Sequence, residues 1–115
     1  MRTSNKGREG EDYAARYLEG LGYDILARRF RSAFGEVDIV ARKGDSLAFV
    51  EVKTWDRLGA DALETSVNAA KRSRIRQTGA AFLASHPELG DCHIRFDLVF
   101  LSRRMGKLDH WENAF

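Results

Sequence analysis

Apolar residues recur with helical spacing near the start of the chain. Positions 11, 14, 18 and 21 share one stripe of a helix predicted over 7–21, with Gly22 as its C-terminal stop. The period then shortens. "YDILARRFR" (23–31), "EVDIVAR" (36–42) and "AFVEVKT" (48–54) read as three strands, with Gly35 marking the turn into the second. "TWDRLGADALE" (54–64) is a loop without assignable conformation. A second helix is predicted over 68–85, from Asn68 as N-cap to just before Pro87, with Ile75, Thr78 and Phe82 on one stripe. "HIRFDLVFLS" (93–102) is a fourth strand, and "KLDHWENAF" (107–115) is a candidate short fifth. The first three strands can form an antiparallel meander, and the second helix is long enough to return the fourth parallel to the third. The expected fold is α/β: an α+β mixed sheet flanked by helices.

Composition adds few constraints. The chain has 115 residues, 43% of them hydrophobic, and a single proline, which suits one folded domain over 1–115. Its one cysteine, Cys92, cannot form an internal disulfide. No apolar run approaches membrane-spanning length, and the first residues lack a signal peptide's apolar stretch, so a cytoplasmic protein without a membrane partner is expected. The histidines 86, 93 and 110 form no zinc-ligand spacing with Cys92 and read as surface residues. Net charge is only +2, so bulk charge says little about a nucleic-acid partner. Local clusters say more. Arg28, Arg29 and Arg31 stand together, as do Lys71, Arg72, Arg74 and Arg76. Both clusters could neutralise phosphates, or be solvated surface.

The candidate chemistry lies in "GEVDIVARKGDSLAFVEVK" (35–53). With Gly44 and Asp45 as a two-residue hairpin loop, Asp38 falls opposite Glu51 and Glu36 opposite Lys53. Alternation puts Val40 and Phe49 on one face and Val37, Ile39, Val50 and Val52 on the other, so both faces are covered. Two facing carboxylates repel and raise a pKa unless a cation lies between them. Oxygen ligation with open positions suits Mg2+ or Mn2+. The competing reading is a Glu36–Lys53 ion pair beside a solvated Asp38 and Glu51. Glu11, on the core-facing stripe of the first helix, needs a partner: the ion site, water, or an arginine such as Arg29. Trp55 could stack on a base or cover apolar surface.

These residues resemble the PD-(D/E)xK nuclease superfamily, with Asp38 and Glu51-Val52-Lys53 as its metal-binding strand pair. "GEDYAARYLEGLGYDIL", "KRSRI", "RFDLVF" and the final "NAF" resemble more closely the YraN family of uncharacterised bacterial proteins, predicted endonucleases akin to archaeal Holliday-junction resolvases. The resemblance implies a restriction-endonuclease-like core. It also implies a Mg2+-dependent endonuclease hydrolysing DNA phosphodiester bonds, with branched or junction DNA as a candidate substrate. Asp38, Glu51 and the Val52 carbonyl would hold the metal, and Glu11 and Lys53 would complete the catalytic set. Lys71, Arg74, Arg29 and Arg31 are the candidate nucleic-acid contacts. Trp55 departs from the basic residue expected after Lys53. A homodimer is left open. The alternative is a DNA- or junction-binding module that keeps the fold without useful hydrolysis.

Overall fold

The structure, a computed structural model, describes residues 5–55, 69–102 and 106–114. Helix α1 (Asn5–Gly20) leads into strands β1 (Asp24–Ser32), β2 (Gly35–Lys43) and β3 (Ser46–Trp55). Helix α2 (Ala69–Ala84) and a 3-10 turn (Pro87–Leu89) then precede β4 (His93–Ser102) and β5 (Lys107–Trp111). The loop expected over 54–64 lies outside the described residues beyond Trp55, as does Asn68. The sheet runs in the order β1-β2-β3-β4-β5. Only β3 and β4 pair in parallel; the other neighbours are antiparallel. The fifth strand forms, and the crossover places β4 as expected.

The termination of α1 follows its sequence. Tyr23 N–H bonds the Leu18 carbonyl at 3.0 Å and Gly22 N–H bonds that of Glu19 at 2.9 Å. Gly22 takes a φ of 100°. This is a Schellman end, with Tyr23 and Leu18 both buried in the same apolar core. Leu21 is thereby the cap rather than part of the buried stripe, and it is 42% exposed.

Two apolar cores cover the two sheet faces. On one, Ala14, Ala15 and Leu18 of α1 pack with Ile39, Ala41, Ala48, Val50 and Val99. On the other, Phe82 of α2 packs with Val37, Val40, Leu47 and Phe49. Val37 thus sits on the opposite face from Ile39, where strict alternation puts them together. The same break occurs in β1, where Ala27 and Phe30 both join the α2-side core. Between them Arg29 has a φ of 56°, in the left-handed region that costs a residue with a Cβ about 1 kcal/mol or more. The ladder passes from Arg28↔Ile39 to Phe30↔Val37 and skips Arg29 and Asp38. Two adjacent strands therefore lose their alternation at one row of the sheet.

Candidate active site

The hairpin between β2 and β3 is the expected one. Lys43 pairs with Ser46, and Gly44 has a φ of 58°. The pairing keeps its register through Ile39↔Val50 and then stops, just before Asp38 would face Glu51. In a continued ladder the Val52 N–H would meet the Val37 carbonyl. Instead it donates to Asp38 Oδ2 at 2.7 Å. The Asp38 carboxylate has taken over a backbone acceptor's position, which ties it to the strand that carries Glu51.

Opening the ladder also frees Lys53 from Glu36. Glu36 lies 3.6 Å from Arg31 Nε. Lys53 Nζ is 3.4 Å from Glu51 Oε2, and Lys71 Nζ is 3.0 Å from the same oxygen. Lys53 thus meets Glu51 and not the Glu36 of the competing reading, and Glu51 is 7% exposed rather than solvated. Lys71 comes from α2, where it stands one turn before Ile75 on the stripe that continues to Thr78 and Phe82. Those three residues are buried. The basic cluster marks Lys71 only as a candidate phosphate contact; its spacing from Ile75, Thr78 and Phe82 is the signal that would have put it on the sheet-facing side, against Glu51.

Glu11 approaches from α1. A side chain at Gly10 would overlap Thr54 Oγ1, so glycine there lets the helix lie against β3. The Glu11 carboxylate accepts from Arg29 Nε at 3.0 and 3.1 Å, with Arg28 at 3.4 Å. Of the partners open to it from sequence, the arginine is the one formed. The strained φ of Arg29 is what turns this side chain to the helix. Of the four expected nucleic-acid contacts, Arg29 and Lys71 are thus engaged with acids of the site. Arg31 and Arg74 are exposed.

The electrostatics follow from burial. The Asp38 carboxyl is pushed up to about 8 by burial and by the Glu51 charge, against the Val52 N–H bond and Lys53. Lys53 is pulled below the ordinary lysine value by burial and by the hydrogen-bonded Lys71, which outweigh Glu51. Burial works against the Lys71 charge too, but Lys53 and Glu51 carry it above its ordinary value. The pair thus divides its roles: Lys71 keeps its charge and Lys53 is the amine more ready to lose a proton.

Asp38 has a measurable consequence for stability. Between about pH 4 and pH 8 the folded protein keeps a proton that the unfolded chain has released, so stability falls as pH rises through that window. Asp38→Asn removes this penalty and can still accept from Val52 N–H. Because Asp38 is partly exposed, the variant is expected to be more stable than the wild type by only about 2 kcal/mol at pH 8, and equal to it near pH 4. Urea unfolding at the two pH values checks this; a difference that does not change with pH contradicts it.

A second polar cluster was missed. Asp97 in β4 is fully buried. It accepts from Arg95 Nε and a terminal nitrogen at 3.2 and 2.8 Å, and from Asn113 N–H at 2.9 Å. His110 Nε2 lies 2.8 Å from it, and His110 Nδ1 lies 3.1 Å from the Tyr17 hydroxyl. The His110 side chain is 6% exposed, not a surface group. Asp97 stands in "RFDLVF", an apolar run with one acid, and that was the available signal. Both Asp97 oxygens and both His110 ring nitrogens are matched within the fold, so the cluster acts as a clasp joining α1, β4, β5 and the segment after β5.

Among the described residues, no group of three or more His, Cys, Asp or Glu side chains is placed to hold a metal ion. Asp38 and Glu51 are a two-carboxylate set. That number suits Mg2+, which keeps several waters and takes one or two protein carboxylates plus substrate phosphate. The raised Asp38 carboxyl beside Glu51 is the electrostatic state that a divalent cation would relieve. No described helix is long and apolar enough to cross a membrane.

The fold and site define a mixed-sheet α/β protein whose element order is consistent with a nuclease-like α+β core. An acid–lysine cluster lies where its central antiparallel ladder opens. The chain belongs to the Uncharacterised protein family UPF0102, the YraN family, whose family model matches residues 10–101. It is 46% identical over 110 residues to a UPF0102 protein of Azorhizobium caulinodans, covering 96% of this chain and 82% of the relative. It is also 46% identical over 121 residues to a UPF0102 protein of a Parafrankia species, covering 100% of both.

Proposed function

We propose that the protein is a metal-dependent endonuclease that hydrolyses DNA phosphodiester bonds, acting on branched or junction DNA in the cytoplasm. The observation that carries this reading is the convergence of Asp38, Glu51, Lys53 and Lys71 at the opened end of the β2–β3 ladder. Asp38 and Glu51, with the Val52 carbonyl, would hold Mg2+ or Mn2+. When bound, that cation would polarise the scissile phosphate and acidify a water. Lys71 keeps a positive charge beside Glu51 and fixes its carboxylate. Lys53 orients the attacking water and meets the negative charge that develops on phosphate. Its lowered pKa also lets it share the water's proton. Glu11 holds Arg29 at the rim, and Arg31 and Arg74 supply exposed positive charge for the backbone.

The test is cleavage of a panel of flaps, four-way junctions, single strands and duplexes, with Mg2+ or Mn2+ and with chelator. Metal-dependent cutting of a branched substrate is the expected result. Tight DNA binding without turnover would instead favour the binding-module reading. That alternative draws on one observation, the engagement of Glu11 with Arg29 rather than with the other two acids. Neither binding nor cutting would exclude both.

A further inference from the structure

The turn joining β1 to β2 carries an exposed aromatic ring on a firmly held backbone. Ser32 pairs with Gly35, leaving Ala33 and Phe34 as the loop. Ser32 Oγ accepts the Phe34 N–H at 3.0 Å and lies 3.1 Å from Thr78 Oγ1. Thr78 donates to the Arg74 carbonyl at 2.8 Å. The turn is thus hydrogen-bonded to the buried side of α2. It is also packed there, since a Cβ at Gly35 would lie 3.6 Å from Arg74 Cβ and 3.7 Å from Thr78 Oγ1. Despite these anchors, the Phe34 ring is left 49% exposed.

The segments that adjoin it carry arginines and one acid. The Arg31 side chain is 79% exposed, with Glu36 3.6 Å from its Nε. Arg74 and Arg72 are exposed on α2. The turn is also close to the acid–lysine site. Phe34 precedes Asp38 by four residues, at most about 13 Å of strand. On α2, Arg74 beside the turn follows Lys71 beside Glu51 by roughly 4.5 Å of helix. An anchored, exposed aromatic ring among arginines has the makings of a stacking platform for an unpaired base, while the arginines track the backbone.

We infer that Phe34, flanked by Arg31 and Arg74, stacks on an unpaired nucleobase of a DNA strand entering the candidate active site. This rests on the nuclease reading and narrows it: the preferred DNA has single-stranded nucleotides next to the scissile bond, and a blunt duplex offers the ring no free base face. Glu36 beside Arg31 keeps the charge of the turn moderate, which leaves stacking as the discriminating contact.

The experiment measures binding in Ca2+ by fluorescence anisotropy, using a labelled single strand, a flap and a blunt duplex. Phe34→Ala is expected to bind the single strand and flap roughly tenfold more weakly and the duplex with nearly unchanged affinity. Phe34→Trp should retain single-strand affinity, and its added indole emission should be quenched by the single strand and not by the duplex. That second readout does not depend on the alanine variant folding. If the wild type binds DNA and Phe34→Ala matches it on every substrate, or loses equally on all, the stacking role is wrong and the nuclease reading stands. If the wild type binds none of the three DNAs, the stacking role is wrong, and the nuclease reading falls as well if a four-way junction is neither bound nor cut.

Discussion

Lys53→Met is expected to slow DNA cleavage about a hundredfold while leaving DNA affinity nearly unchanged. Methionine keeps much of the side-chain length and removes the amine. Lys53 is half-buried and contacts Glu51 at 3.4 Å. Its main contribution should appear as charge develops on phosphate, where losing ~3 kcal/mol corresponds to that factor. Binding is shared among many phosphate contacts, so affinity should move little. Asp38→Asn should abolish cleavage and also weaken Mg2+ binding, which Lys53→Met should not. Single-turnover cleavage of a DNA the wild type cuts, with affinity measured in Ca2+, separates these effects. A folded Lys53→Met protein cutting at the wild-type rate would leave Lys53 as no more than a partner of Glu51.

The largest effect on stability should come from Asp97→Ala. Removing this buried carboxylate strips Arg95, His110 and the Asn113 N–H of a common acceptor. Breaking a buried ion pair from one side costs about 3–5 kcal/mol. For a chain of this size the melting temperature should fall by roughly 15–25 °C. Burial opposes the Asp97 charge, but the bonds from His110, Arg95 and Asn113 more than offset it, and the carboxyl is held below its ordinary value. The stabilisation is therefore present above the ordinary carboxylate range and is lost as pH falls through the folded value. Thermal and urea melts from neutral to acid pH measure it. A loss under about 1 kcal/mol at pH 7 would mean that the clasp contributes little.

Element order, the parallel return of β4 and the β2–β3 register follow from local pattern. Hydrophobic period, Gly22 and the two-residue Gly44–Asp45 loop each act over a few residues, so each is readable one segment at a time. Asp38, Glu51 and Lys53 were legible as candidates for the same reason: a hairpin with a known centre converts sequence separation into cross-strand position. Lys71 was legible only as one of a basic cluster, and Asp97 was missed. The signals that would have found them are a helical spacing shared with Ile75 and a lone acid in an apolar run.

Tertiary structure decided the rest. Alternation fails at Arg29 and Asp38 together, moving Val37 to the other face and ending the ladder before Glu51. A break in the period of one strand is stabilised by what the neighbouring strand and helix offer, here Glu11 for Arg29 and the Val52 N–H for Asp38. Those partners lie 18 and 14 residues away in the chain, beyond any periodicity. The choice of Glu51 over Glu36 as the partner of Lys53 has the same origin. By itself the sequence placed Glu11, Asp38 and Glu51 at positions facing covered surface; only the packing of α1 and α2 on opposite faces of an opened sheet determined how those charges were shared.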